Sequence, residues 1–368
     1  MTSLLDELRG LSSVACDTLD AEGEHPRFGP FVDCTSNQAI AYNELSKLDS
    51  DGKLVYQQLI HESIEVAHWM FAKQSDATLE ELAVELMVCS LPSLSPLPAI
   101  KTNTLKMVNL ALLIAPHITG RLHIQTNPKL AYSTAKTIKN AERVHSHFTH
   151  LSPSLSPSRI CIKIPSTHEG LLACRHLEAK GITTLATTLF SLEQAILASA
   201  SSCRYVAPYV NELKVHFEQG YVDPDRDNSL FLCGVIQEYF RRRGVERTEV
   251  MAASFVTVEE VMQLAGVRNL TVSPGLLEVL AGTKVEGWTG ATVGMVGRWV
   301  GGEGGWDEGR VREVERVVRE GDEGGWRMAF MRAEGGRAEG KLVQALNLFV
   351  GVQEGLEEVV RRGVKQGL

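Results

Sequence analysis

Short apolar, β-branched runs alternate along this chain with longer stretches in which apolar positions recur every three or four residues. The runs at 14–17, 31–35, 121–125, 160–164, 184–189, 205–210, 250–254 and 270–273 predict strands buried on both faces. Between them, 52–73, with Leu54, Leu59, Ile64, Ala67 and Met70 on one stripe, and 79–88 predict helices. Repeated strand-helix units build a parallel sheet, and eight such strands predict an α/β fold closed as a (β/α)8 TIM barrel. Periodicity does not set strand order, so an open doubly wound sheet is the alternative at this level.

One residue breaks the pattern. Cys161-Ile-Lys-Ile-Pro-Ser-Thr167 places Lys163 inside an otherwise apolar strand. Burial disfavours the charged ammonium and favours the neutral, nucleophilic amine, which makes Lys163 a candidate Schiff-base lysine. The alternative is a lysine that snorkels to the strand end or pairs with a carboxylate. In a barrel the chemistry sits at the C-terminal strand ends, where this chain places Asp17, Asn37, Gln125, Thr187, Tyr209 and Ser254. Each has a structural reading as a cap, strand or rim residue. Together they suit carbonyl chemistry: an amine for the iminium, a carboxylate for a hydroxyl proton, and amide and hydroxyl groups to hold water.

Composition narrows the organisation. The Ser/Pro stretches at 91–98 and 151–158 read as breakers, not repeats. From 282 to 325 the chain turns to Gly, Glu, Arg and Trp, which predicts a mobile surface insertion. The expected organisation is therefore a barrel over 1–281, a Gly/Glu-rich insertion over 282–325 and a helical segment over 326–368, with a helix at 339–362 packing on the barrel.

The chain has 368 residues, a net charge of −8 and dispersed basic residues, which argues against nucleic acid and anionic membrane as partners. No spanning helix or signal-peptide core is evident, and the seven cysteines form no CxxC pair, so a reducing, cytoplasmic location is expected. His123, His168 and His176 lack metal-ligand spacing, and no phosphate loop or dinucleotide fingerprint is present. The expectation is no metal and no cofactor.

The motifs resemble those of the transaldolase superfamily of class I aldolases. Val14-Ala-Cys-Asp-Thr18, Val32-Asp-Cys-Thr-Ser-Asn37, Ile162-Lys-Ile-Pro-Ser-Thr-His-Glu-Gly170, Gly181-Ile-Thr-Thr-Leu-Ala-Thr187 and Val250-Met-Ala-Ala-Ser-Phe255 occur in the family's order, and the likeness extends over about residues 10–280. The resemblance implies a barrel in which Lys163 forms the Schiff base, Asp17 moves protons, and Asn37, Thr35 and Ser254 contact substrate. Gln125, with Tyr209 in Tyr205-Val-Ala-Pro-Tyr-Val-Asn-Glu212, resembles the fructose-6-phosphate aldolase branch. There, glutamine, threonine and tyrosine hold the water, which implies a relay of Gln125, Thr187 and Tyr209.

The departures concern the substrate. The two arginines that grip sugar phosphates in transaldolases fall at Glu212 and Val256. A carboxylate in place of a bidentate guanidinium repels phosphate, so Glu212 is expected to meet a different substrate group. The expected function is a class I aldolase, lyase or transaldolase-like enzyme acting on an unphosphorylated carbonyl compound in specialised metabolism, with a homodimer possible. The alternatives are a transaldolase moving dihydroxyacetone between sugar phosphates, and a noncatalytic barrel that binds a metabolite.

Overall fold

A computed structural model describes residues 2–20, 28–71, 77–89, 114–152, 155–290 and 306–365. The eight apolar runs form one closed barrel of parallel strands in chain order. They are β1 (Ser13–Asp17), β2 (Cys34–Thr35), β3 (Leu122–Gln125), β4 (Ile160–Pro165), β5 (Thr183–Leu189), β6 (Tyr205–Pro208), β7 (Glu249–Ala252) and β8 (Asn269–Val272). β8 closes on β1, with Val14 opposite Leu270 and Cys16 opposite Val272. The closed barrel expected from the strand count is present, and the open sheet is not.

The expected strand at 31–35 keeps only two ladder residues. Phe31 makes an isolated bridge with Ile118, and the Asp33 carboxylate accepts the Arg121 N–H at 2.7 Å where a strand carbonyl would otherwise serve. The helix expected at 52–73 occupies Gln57–Phe71, starting late because Gly52 turns the chain at a φ of +75°. Helix Leu79–Cys89 fills the expected 79–88. The stretches at 91–98 and 301–305 lie outside the described residues.

Residues 306–325 correct the surface-insertion expectation. Asp307 caps a helix, Glu308–Glu320, by accepting the Arg310 N–H at 3.0 Å. Its Val311, Val314 and Val317 are buried, and it packs on helix Leu192–Ala200. In the next helix, Glu323–Arg332, buried Trp326 donates its indole N–H to the Glu193 carbonyl at 3.1 Å. Three valines at helical spacing suffice to dock an otherwise charged element.

Helix Arg337–Lys365 returns across the barrel against helices Gln38–Leu45 and Leu79–Cys89. The buried Lys341 ammonium fixes it, 3.2 Å from Asp223 and 3.3 Å from Asp225. Among the described residues, no helix is long and apolar enough to cross a membrane. The six cysteines with described side chains are buried and in no disulfide.

The barrel depends on close approach at the strand that carries Lys163. In the following helix, His168–Ala179, a Cβ built on Gly170 would lie 2.1 Å from the Pro165 carbonyl oxygen at the end of β4. That contact is with backbone and cannot turn aside. Gly170→Ala is therefore expected to cost about 1–3 kcal/mol of stability, read as a lowered urea midpoint with an unchanged slope. A midpoint equal to wild type would show that the helix shifts freely.

Candidate active site

Strand register assembles the site. Gln125 stands opposite Lys163 across β3 and β4, Pro165 opposite Thr187 across β4 and β5, and Asp17 opposite Thr35 across β1 and β2. Directly paired residues of a parallel sheet point to the same face. All six residues of β4 are buried, and Lys163 itself is only 5% exposed. Burial pushes its ammonium below the ordinary lysine value of 10.5, and the negative charge of Asp17 acts against that shift. The result is an amine shifted toward its neutral form within the field of a carboxylate.

The carboxylate is oriented by hydroxyls. Thr35 Oγ1 donates to Asp17 Oδ1 at 2.5 Å and shares a second contact of 2.5 Å with Thr271 Oγ1. Across the barrel, Thr187 Oγ1 and Tyr209 Oη are 3.1 Å apart. Burial raises the Tyr209 phenol above its ordinary value, so the hydroxyl keeps its proton. Buried Gln125 holds both amide atoms, Oε1 and Nε2, without a hydrogen-bond partner among the described residues. An orphaned amide on the same face as the amine is a ready place for a water or a substrate oxygen.

A cavity of about 520 Å³ opens at these strand ends, and Asp17, Asn37, Lys163, Tyr209 and Ser254 all reach it. Gln125, Thr187 and Thr35 do not line it, but reach the site through the register and hydrogen bonds above. Asn37 does two jobs. Its Oδ1 caps helix Gln38–Leu45 by accepting the N–H groups of Ala39 and Ile40 at 2.9 and 3.1 Å, while the residue forms part of the wall.

The structure does not bring Glu212 to the cavity. The Gln344 amide of the C-terminal helix donates to it at 2.8 Å, and the Tyr221 hydroxyl donates to its other oxygen. These bonds turn the carboxylate into a structural tie. Lys214 is likewise occupied, 3.2 Å from Glu218 and 4.4 Å from the centre of the Tyr221 ring. Val256 is 47% exposed and lies outside the lining. Lys163 is thus the lone ammonium or guanidinium group on the cavity wall among the described residues.

Two contributions were not found in the sequence. The 3-10 turn Leu213–His216 brings His216 to the rim, where Nε2 meets Ser254 Oγ at 2.9 Å. Ser254 sits at a φ of +65° and donates its own proton to the Asn211 carbonyl at 2.9 Å. His216 is an exposed residue, yet desolvation by the surrounding protein lowers it below the ordinary imidazole value, against the pull of Asp17 and Glu260. The second contribution is Phe349 and Val352 of the C-terminal helix, which complete the wall. No group of three or more His, Cys, Asp or Glu side chains placed to hold a metal occurs among the described residues.

With this geometry established, comparison with known proteins is specific. The family model described as transaldolase/fructose-6-phosphate aldolase matches residues 14–292. A transaldolase of Alteromonas mediterranea is 31% identical over 288 residues, covering 76% of this chain and 79% of its own. One from Chlamydia pneumoniae is 29% identical over 284 residues, covering 76% of this chain and 77% of its own. A solved IMP dehydrogenase/GMP reductase-like protein from Corynebacterium glutamicum is 10% identical, covering 72% of this chain and 64% of its own, with a TM-score of 0.35, too distant a likeness to bear on the site.

Proposed function

The chain belongs to the transaldolase/fructose-6-phosphate aldolase family, a transaldolase-like class I aldolase by type, and on that premise we propose that it makes or breaks a carbon-carbon bond of an unphosphorylated carbonyl compound through an iminium on Lys163. The observation that carries this reading is the cavity wall, where, among the described residues, the buried amine of Lys163 is the lone ammonium and no guanidinium awaits a phosphate.

In the cleavage direction, neutral Lys163 Nζ attacks the substrate carbonyl carbon to give a carbinolamine, which loses water to become the iminium. Gln125 offers an unpartnered amide, and Thr187 and Tyr209 a paired donor, to the water that carries these protons. Asp17, held by Thr35, takes the proton of the β-hydroxyl. The bond between the α and β carbons then breaks, an aldehyde leaves, and its electron pair passes into the iminium to form the enamine. Protonation or addition to an acceptor aldehyde, followed by hydrolysis, frees the lysine. The iminium withdraws electrons that the bare carbonyl could not accept as readily. A place in specialised metabolism fits a pocket whose described residues include no phosphate grip.

The test compares fructose with fructose 6-phosphate as cleavage substrates under one assay. The proposal expects kcat/KM for the phosphate to be no higher than for the free sugar. A preference for the phosphate of more than roughly tenfold, about 1.4 kcal/mol, would favour sugar-phosphate transfer and sink it.

A further inference from the structure

The cavity has two chemically different ends. Around Lys163 the groups are polar: Asp17, Tyr209 and Thr271. Elsewhere the wall carries a set of rings, Tyr42, Phe217, Phe255 and Phe349, joined by Leu213 and Val352, with Asn37, Asn43 and Ser273 as polar members between them. Phe255 and Phe349 are buried, whereas Phe217 is 39% exposed at the rim, so the apolar surface runs from the interior to the mouth. Against the rings, several hydroxyl groups of a sugar, or a phosphate, would face carbon and lose their water without replacement. An aryl or branched alkyl group would instead lose only unfavourable hydration.

Beside these rings, the Ser254–His216 pair is a polar handle whose proton arrangement is fixed. Ser254 Oγ has one proton, and that proton goes to the Asn211 carbonyl. Ser254 must therefore accept at its contact with His216, which fixes the imidazole proton on Nε2. In its neutral form His216 then carries a lone pair on Nδ1, which makes no hydrogen bond among the described residues. Such an atom asks for a hydroxyl donor.

Resting on the iminium reading for the reaction itself, we propose that the aldehyde half of the substrate is an apolar, aromatic-sized group bearing one hydroxyl, which His216 Nδ1 accepts. His216 is then a specificity-determining residue, and its partner Ser254 a positioning residue that sets the tautomer. The bond made and broken is the one described for Lys163. Only the group carried by the leaving or incoming aldehyde is specified further.

Binding of non-reacting alcohols tests this separately from the chemistry. Titration calorimetry of the full chain with monohydroxylated benzyl alcohols, benzyl alcohol and glycerol 3-phosphate reads the preference without any iminium. The best hydroxylated alcohol is expected to bind about tenfold more tightly than benzyl alcohol, and glycerol 3-phosphate most weakly of all. In His216→Phe that advantage should vanish while benzyl alcohol binding changes less than about twofold, and in His216→Asn, whose amide oxygen can accept, it should partly return. A His216→Phe protein that keeps the tenfold preference overturns the proposal. So does tighter binding of glycerol 3-phosphate, or no binding by any benzylic alcohol to the folded protein. Absence of borohydride trapping at Lys163 alongside the expected preference would remove the iminium reading and leave the substrate class standing.

Discussion

Lys163→Met protein is expected to lose borohydride-dependent attachment of every carbonyl donor and at least roughly ten-thousandfold in turnover. Methionine matches the length and burial of the lysine stem but cannot form an iminium, and no second ammonium on the described wall can take over. Mass spectrometry after reduction gives the yes-or-no result. The same substitution should raise stability. Burial lowers the folded value of Lys163 below the 10.5 of the unfolded chain, so the unfolded state binds this proton more readily. The folded state is therefore penalised below 10.5, and stability climbs with pH between the lowered value and 10.5. Removing the amine removes both the penalty and that slope, so the melting temperature should rise. A variant that melts lower than wild type would mean that Lys163 serves the fold, and persistent adducts would mean that another nucleophile does the chemistry.

The location of that lysine was legible because burial leaves a trace in sequence. A strand such as Ile160–Pro165 must be apolar on both faces, so one lysine within it stands out. The same logic gave the eight strands, and the ordered motifs led to a family that the match over residues 14–292 bears out. Residues 306–325 were misread for the converse reason. Glycine, glutamate and arginine make up most of their composition, while the burial that docks helix Glu308–Glu320 rests on Val311, Val314 and Val317. Glu212 shows another limit, since alignment gives position but not direction, and bonds from Tyr221 and Gln344 turn it away. His216 occupies a 3-10 turn with no periodicity to read, and Phe349 joins the cavity only because its helix docks on the barrel. Those contacts are made by tertiary packing, and a local pattern does not encode them.

Asp17→Asn separates the two halves of the proposed reaction. The asparagine oxygen can still accept from Thr35, so the side chain should stay in place, but it is too weak a base to take the β-hydroxyl proton. Carbon-carbon cleavage is expected to fall roughly 10²- to 10⁴-fold, the usual range for a positioned acid-base group. Reduction should still attach a ketone to Lys163, the outcome that distinguishes this variant from Lys163→Met. The pH dependence has a definite sign. Asp17 raises the Lys163 value by favouring the ammonium, so its neutralisation lowers that value further. Iminium formation needs the neutral amine, whose fraction falls as pH drops through the Lys163 value. The acidic limb of trapping rates should consequently move to lower pH in Asp17→Asn. A limb displaced toward higher pH would contradict the electrostatic coupling, and cleavage at the wild-type rate would assign the proton transfer to a different group on the wall.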